Sequence, residues 1–202
     1  QREQFVDADA PEVAGVAALE AAHRTGQLVS VAGEAGIGKS SLLRQFADEQ
    51  LGTARAVWGY CEALFTARPL GPVLDMAPHL GPHTAAALTD ARPPHALFAG
   101  VVADLGVVPP TIAVFEDVHW ADEATLDLLQ FVGRRIDQTH AVVIVSWRED
   151  EVGPDHPLHR VQAGWPGHAT HRIRLSPLSF DAVQHLAGPS RNAAAVHAMT
   201  GG

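Results

Sequence analysis

Residues Gly33-Glu34-Ala35-Gly36-Ile37-Gly38-Lys39-Ser40 set the tightest constraint on what this chain can fold into. They fit the pattern G-x-x-x-x-G-K-[ST] at every fixed position. An apolar run, Leu28–Ala32, precedes them, and Leu42, Leu43 and Phe46 follow at helical spacing. The order is therefore strand, glycine-rich turn, helix. Glycines let successive backbone N–H groups curl into a nest around an anion, and the positive end of the next helix faces the same point. In such a loop Lys39 reaches the β and γ phosphates of a nucleotide, and the Ser40 hydroxyl suits Mg²⁺. The candidate phosphate-binding set is Gly33, Glu34, Ala35, Gly36, Ile37, Gly38, Lys39, Ser40 and Ser41. A glycine-rich turn that binds nothing has no need of the lysine and serine.

A phosphate loop needs an acidic strand beside it. Ile112-Ala113-Val114-Phe115-Glu116-Asp117 supplies four apolar residues and then two acids, the usual Walker B arrangement. Glu116 stands where Asp is commoner; it is the candidate to hold Mg²⁺ with Ser40. Asp117 is the candidate for polarising an attacking water. A third element is Arg148, in Ser146-Trp147-Arg148 after another apolar run. That position falls at the carboxyl edge of an α/β sheet, where ligands of such folds bind. Arg148 either contacts the γ phosphate or forms a surface salt bridge with Glu149, Asp150 or Glu151. Lys39, Glu116, Asp117 and Arg148 are thus the catalytic candidates.

Short apolar runs alternating with helical patterns predict an α/β fold, a parallel P-loop sheet with helices on both faces. The strands are read at Leu28–Ala32, Ala54–Trp58, Thr111–Phe115, Ala141–Val145 and Arg172–Leu175. The first, third and fourth are apolar nearly throughout, as central strands covered on both sides should be. Leu128, Leu129, Val132 and Ile136 form a helical stripe that Asp122 is placed to cap. Residues 66 to 95, rich in Pro and Gly, carry shorter helices at most. The nucleotide-binding domain is expected over residues 1–178, and residues 179–202 read as the beginning of a helical lid.

Composition limits the function classes. The formal charge is −9, with 23 Asp and Glu against 14 Lys and Arg; such a surface repels phosphate backbones, so no direct nucleic-acid binding by this segment is expected. Cys61 is the only cysteine, which rules out an internal disulfide. No apolar run reaches the ~20 residues that span a bilayer. The N-terminus lacks a Met start and a signal-peptide pattern, so the chain reads as a cytoplasmic piece of something longer. Among the twelve histidines, His156-x-x-His159 and His168-x-x-His171 have ligand-like spacing, but they sit in a Pro- and Gly-rich stretch with no Cys partner. His119 and Trp120 directly follow the acids: His119 is placed near the γ phosphate, and Trp120 reads as packing.

With these motifs in place, the chain resembles the signal-transduction ATPases with numerous domains (the STAND class), specifically the ATP-binding module of large LuxR-type transcriptional regulators. The matching residues are the loop Gly33–Ser40, the run from Phe115-Glu116-Asp117-Val118-His119-Trp120-Ala121-Asp122 into Thr125–Leu129, Trp147–Val152, and Arg68-Pro69-Leu70-Gly71-Pro72. The resemblance implies ATP and ADP as ligands with Mg²⁺, slow hydrolysis acting as a switch, ATP-dependent self-association, and further domains in a longer chain. Two departures stand out. The family's apolar-Gly-Arg-acid signature is replaced by Phe5-Val6-Asp7-Ala8-Asp9, and after Thr200-Gly201-Gly202 the family's adenine-side Pro would come next. A nucleotide-sensing module without useful turnover is the rival reading, and a P-loop kinase acting on a small molecule is a further enzyme alternative.

Overall fold

The computed structural model describes residues 11–64, 68–90 and 93–177, with the side chains of 11–14 set aside. The expected lid at 179–202 and the N-terminal departure at 5–9 lie outside these residues. Five strands form one parallel sheet: β1 Gln27–Gly33, β2 Arg55–Tyr60, β3 Thr111–Glu116, β4 Ala141–Arg148 and β5 Thr170–Arg174. Each predicted strand is present, with ends shifted by at most three residues. Their order across the sheet is β2-β3-β4-β1-β5.

That order decides the site. β4 lies between β1 and β3, so the phosphate-loop strand and the acidic strand are not neighbours. β1 and β3 are buried along their whole length, as continuous apolar runs between two helical layers must be. Alternate residues feed the two layers. Val29 and Val31 of β1, Ile112 and Val114 of β3, and Val142 and Ile144 of β4 face α1 (Pro11–Ala22) and α2 (Lys39–Glu49), meeting Ala18, Leu19, Leu43 and Phe46. Leu28, Ala113, Phe115, Val143 and Val145 face the other way. There they pack against α3 (Gly71–Leu80), α5 (Pro94–Leu105), α6 (Glu123–Gly133) and α7 (Leu158–Ala163).

The Pro- and Gly-rich region folds as α3 and α4 (Pro82–Thr89), then runs into α5. All three helices carry proline at their first positions, where the missing N–H has no partner to lose. Asp104 of α5 is 1% exposed and accepts from the backbone N–H groups of His83 and Thr84, so a buried carboxylate satisfies the open end of α4. Gly59 of β2 lets α3 close in: a Cβ there would lie 2.4 Å from the Pro72 carbonyl oxygen. Asp122 caps α6 as expected, accepting from the N–H of Thr125 at 3.1 Å. Among the described residues no helix is long and apolar enough to cross a membrane.

Candidate functional site

The turn after β1 is shaped by its glycines. Gly36 (φ 77°) and Gly38 (φ 99°) occupy left-handed backbone, which side-chain-bearing residues rarely adopt. A Cβ at either would meet nothing within 4 Å; backbone conformation, not crowding, is what calls for glycine there. The turn opens α2 at Lys39, so the first N–H groups of a helix stand unpaired at the mouth of the loop. Lys39 is 7% exposed, and its Nζ donates to the carbonyl oxygens of Gly33 and Glu34, both at 2.8 Å. The lysine thus closes the loop on itself with two charge-assisted bonds. Burial lowers the pKa of its ammonium; Asp117 pulls it back up and the charge of Arg148 lowers it further. Three candidates are therefore near enough to feel one another.

Strand order brings in the acids. Gly33 is paired with Arg148 across β1 and β4, and Phe115 with Val145 across β3 and β4. Ser40 is exposed, and its hydroxyl donates to Oε2 of Glu116. The other oxygen, Oε1, is buried without a hydrogen-bond partner. A buried carboxylate oxygen lacking a donor costs free energy unless a cation or water meets it. A hydroxyl and a carboxylate in contact are also an all-oxygen donor set, the kind Mg²⁺ takes. On that observation the residues fit the ion that the sequence implies.

Asp117 ends the strand in left-handed backbone (φ 56°), and its N–H donates to the Ser146 hydroxyl at 3.3 Å. The chain then turns through a short 3₁₀ segment, Val118–Trp120, which puts the side chain of His119 wholly inside the protein. Burial lowers the pKa of His119, against the pull of Asp117 and Glu151. Its Nδ1 accepts from the Arg148 N–H at 3.4 Å, which leaves the ring proton on Nε2, 3.6 Å from Oε2 of Glu151. Nδ1 also lies 3.9 Å from Asp117 Oδ1.

Arg148 is at the carboxyl edge, as its place in the sequence predicts. Its guanidinium pairs with Glu151 at 2.8 Å, the salt bridge that the sequence left as the alternative. It also stacks over the Trp120 ring at 4.9 Å. Trp120 therefore does more than pack: its Nε1 donates to Glu151 at 3.0 Å. The histidine pairs with ligand-like spacing are directed elsewhere. His156 and His159 approach the carbonyls of His119 and Gly153, His168 approaches Asp137, and His171 approaches Gln27. Cys61 is buried, which pushes its thiol up to about 12 with help from Asp122 and Asp117; it is no nucleophile at neutral pH.

Ser146 is the site residue that sequence reasoning passed over, and Glu151 was named only as one of three acids able to pair with Arg148. Ser146 follows an apolar run and carries no motif of its own. Glu151 is one of three acids in a row, and only the turn after β4 selects it.

No sequence relative was found among curated proteins. The structure is similar to domain III of the replication initiation protein DnaA from Thermotoga maritima, with TM-score 0.50 and 18% identity over 91% of this chain and 69% of that one. It is also similar to a signal transduction ATPase with numerous domains carrying a tetratricopeptide repeat sensor, from Pyrococcus horikoshii. There the TM-score is 0.53 and the identity 17%, and the match covers all of this chain and 29% of that one. At such identities the likeness speaks for the fold, a P-loop α/β sheet. Sequence goes further: residues 11–145, more than half of the chain, match the AAA ATPase domain family, and the chain belongs to that family.

Proposed function

We propose that this chain is an Mg-ATP-binding switch module that hydrolyses ATP slowly and belongs to a larger regulator of LuxR type. The observation that carries the reading is the convergence of Lys39 and Ser40, from the loop after β1, on Glu116 at the end of β3, with Asp117 and Arg148 at the same edge of the sheet. In this reading the N–H groups from Gly33 to Ser41 cradle the phosphates, and Lys39 leaves its two carbonyls to meet the β and γ phosphates. Ser40 and Glu116 hold the metal shell. Mg²⁺ bound there supplies positive charge to the phosphate oxygens. Asp117 orients the attacking water and accepts its proton, and Arg148 meets the γ phosphate.

The LuxR context and the switch rest on the quoted motifs, with the STAND ATPase among the structural neighbours as support. The same reading makes ATP-dependent self-association and further domains part of the whole protein's working, and assigns DNA contact to another segment. A sensing module without useful turnover is the second reading, favoured by the longer Glu116 in place of Asp. Nucleotide content of the purified protein, followed by single-turnover hydrolysis over a long incubation, tests both. Bound nucleotide with slow phosphate release supports the switch, and bound nucleotide with none supports the sensor. Absence of both nucleotide binding and turnover overturns the proposal.

A further inference from the structure

We propose that Glu151 is a positioning residue: it holds Arg148 at the phosphate end of the site and so sets a preference for triphosphate over diphosphate. The inference rests on the nucleotide reading above and assigns a role to an acid of the Trp147–Val152 run.

Arginine is long, and an arginine at a strand end samples many rotamers unless something fixes it. Here its main chain and side chain are both fixed. The Arg148 N–H is tied to His119. Three residues on, the 3₁₀ turn Glu149–Glu151 brings the Glu151 carboxylate back onto the Arg148 guanidinium. Its carboxylate accepts from two donors. Oε1 takes the Arg148 guanidinium at 2.8 Å. Oε2 takes the Trp120 indole N–H at 3.0 Å and faces the His119 ring N–H at 3.6 Å. The Trp120 ring supports the guanidinium from its flat side.

The bracket therefore joins Arg148 to the His119-Trp120 segment that directly follows Glu116-Asp117. Arg148 is paired in register with Gly33, the residue that opens the phosphate loop, so the bracket holds the guanidinium at the loop's end of the sheet. Glu151 takes only NH1 of the guanidinium, and a planar fork with five N–H donors keeps others for phosphate oxygens. A γ phosphate meets this group; a diphosphate ends short of it.

The test is calorimetric titration of Mg-ATP and Mg-ADP into wild type, Glu151→Gln, Arg148→Ala and the double variant, with melting midpoints to confirm that each folds. Glu151→Gln keeps a hydrogen-bond acceptor but removes the charge. The ATP-over-ADP ratio is expected to fall about threefold to tenfold, the scale of a partly exposed charge-assisted bond. Arg148→Ala should lower the ratio at least as far, and adding Glu151→Gln to it should change nothing more. Glu151→Asp, which keeps the charge, should restore part of the preference. If Glu151→Gln leaves the ratio unchanged while Arg148→Ala lowers it, Glu151 does not position the arginine. A raised ratio also overturns the inference, since Glu151 would then restrain Arg148 from phosphate. Wild type binding both nucleotides equally removes the sensing role of Arg148 and this inference with it. Wild type binding neither overturns the nucleotide reading itself, a failure distinct from the others.

Discussion

Replacing Asp117 separates backbone from chemistry, because the residue is placed for one at the expense of the other. Its φ of 56° lies where a Cβ crowds the following carbonyl, at a cost of roughly 1–2 kcal/mol that Asn and Asp partly escape through local hydrogen bonding. Asp117→Asn keeps that tolerance and the N–H bond to Ser146, and loses only the charge. Asp117→Ala loses the charge and the tolerance together. The Asn variant should therefore melt close to wild type, and the Ala variant lower by about 2–8 °C, since ~1 kcal/mol moves the midpoint by ~2–4 °C in a chain of this size. The carboxylate is about a third exposed (30%), so its own ion-pairing contribution to stability is small. Single-turnover hydrolysis should fall by about 10²–10⁴ in both variants, the range of a lost general base, with ATP binding intact. Turnover retained in Asp117→Asn would refute the catalytic role. Equal stability of the Asn and Ala variants would refute the backbone argument independently.

Three further outcomes follow from the same geometry. Glu116→Gln should weaken Mg-ATP by about 10–100-fold and metal-free ATP far less, read by titration with and without Mg²⁺; equal losses would remove Glu116 from the metal shell. Gly59→Ala places a Cβ 2.4 Å from a backbone oxygen and 2.7 Å from the Pro72 Cα, neither of which yields cheaply. It should cost roughly 1–3 kcal/mol in urea unfolding, and an unmoved midpoint would show that α3 does not need that approach. Burial lowers the pKa of His171 below the ordinary 6.5, so the unfolded chain binds its proton first. Stability from this group is full above about pH 6.5 and is lost as pH falls through the folded value. His171→Gln should flatten that acid-side slope in pH-dependent melting, and an unchanged slope would assign it to other groups.

Much of this molecule was legible in the sequence because its signals are local. The fold class follows from Leu28–Ala32, Thr111–Phe115 and Ala141–Val145, each apolar on both faces and each bound to become a central strand. The loop from Gly33 to Ser40 carries its own geometry in its glycines. What was not legible is relational. No short-range pattern says that β4 inserts between β1 and β3, yet this insertion sets Arg148 beside Gly33 and Ser146 beside the acidic strand end. Ser146 reads as a polar interruption until the Asp117 N–H is found against it. Glu151 is indistinguishable from Glu149 and Asp150 until the 3₁₀ turn selects it. The helix α1 also escaped notice: its alanine-rich sequence spreads small apolar residues around the helix and leaves no clear stripe. Trp120 was read by its bulk, although its indole N–H is what ties it to the site.

The central claim is that the loop from Gly33 to Ser41 binds the phosphates of Mg-ATP through Lys39, and the melting midpoint of the protein with and without nucleotide tests it most directly. A ligand at about 100 times its dissociation constant adds roughly 2.7 kcal/mol, or ~5–10 °C in a chain of this size. Wild type should show that rise with saturating Mg-ATP. Lys39→Ala, which removes the ammonium now held by the Gly33 and Glu34 carbonyls, should show none. A wild-type midpoint unmoved by Mg-ATP, or a Lys39→Ala midpoint that rises as far as wild type, would contradict the account.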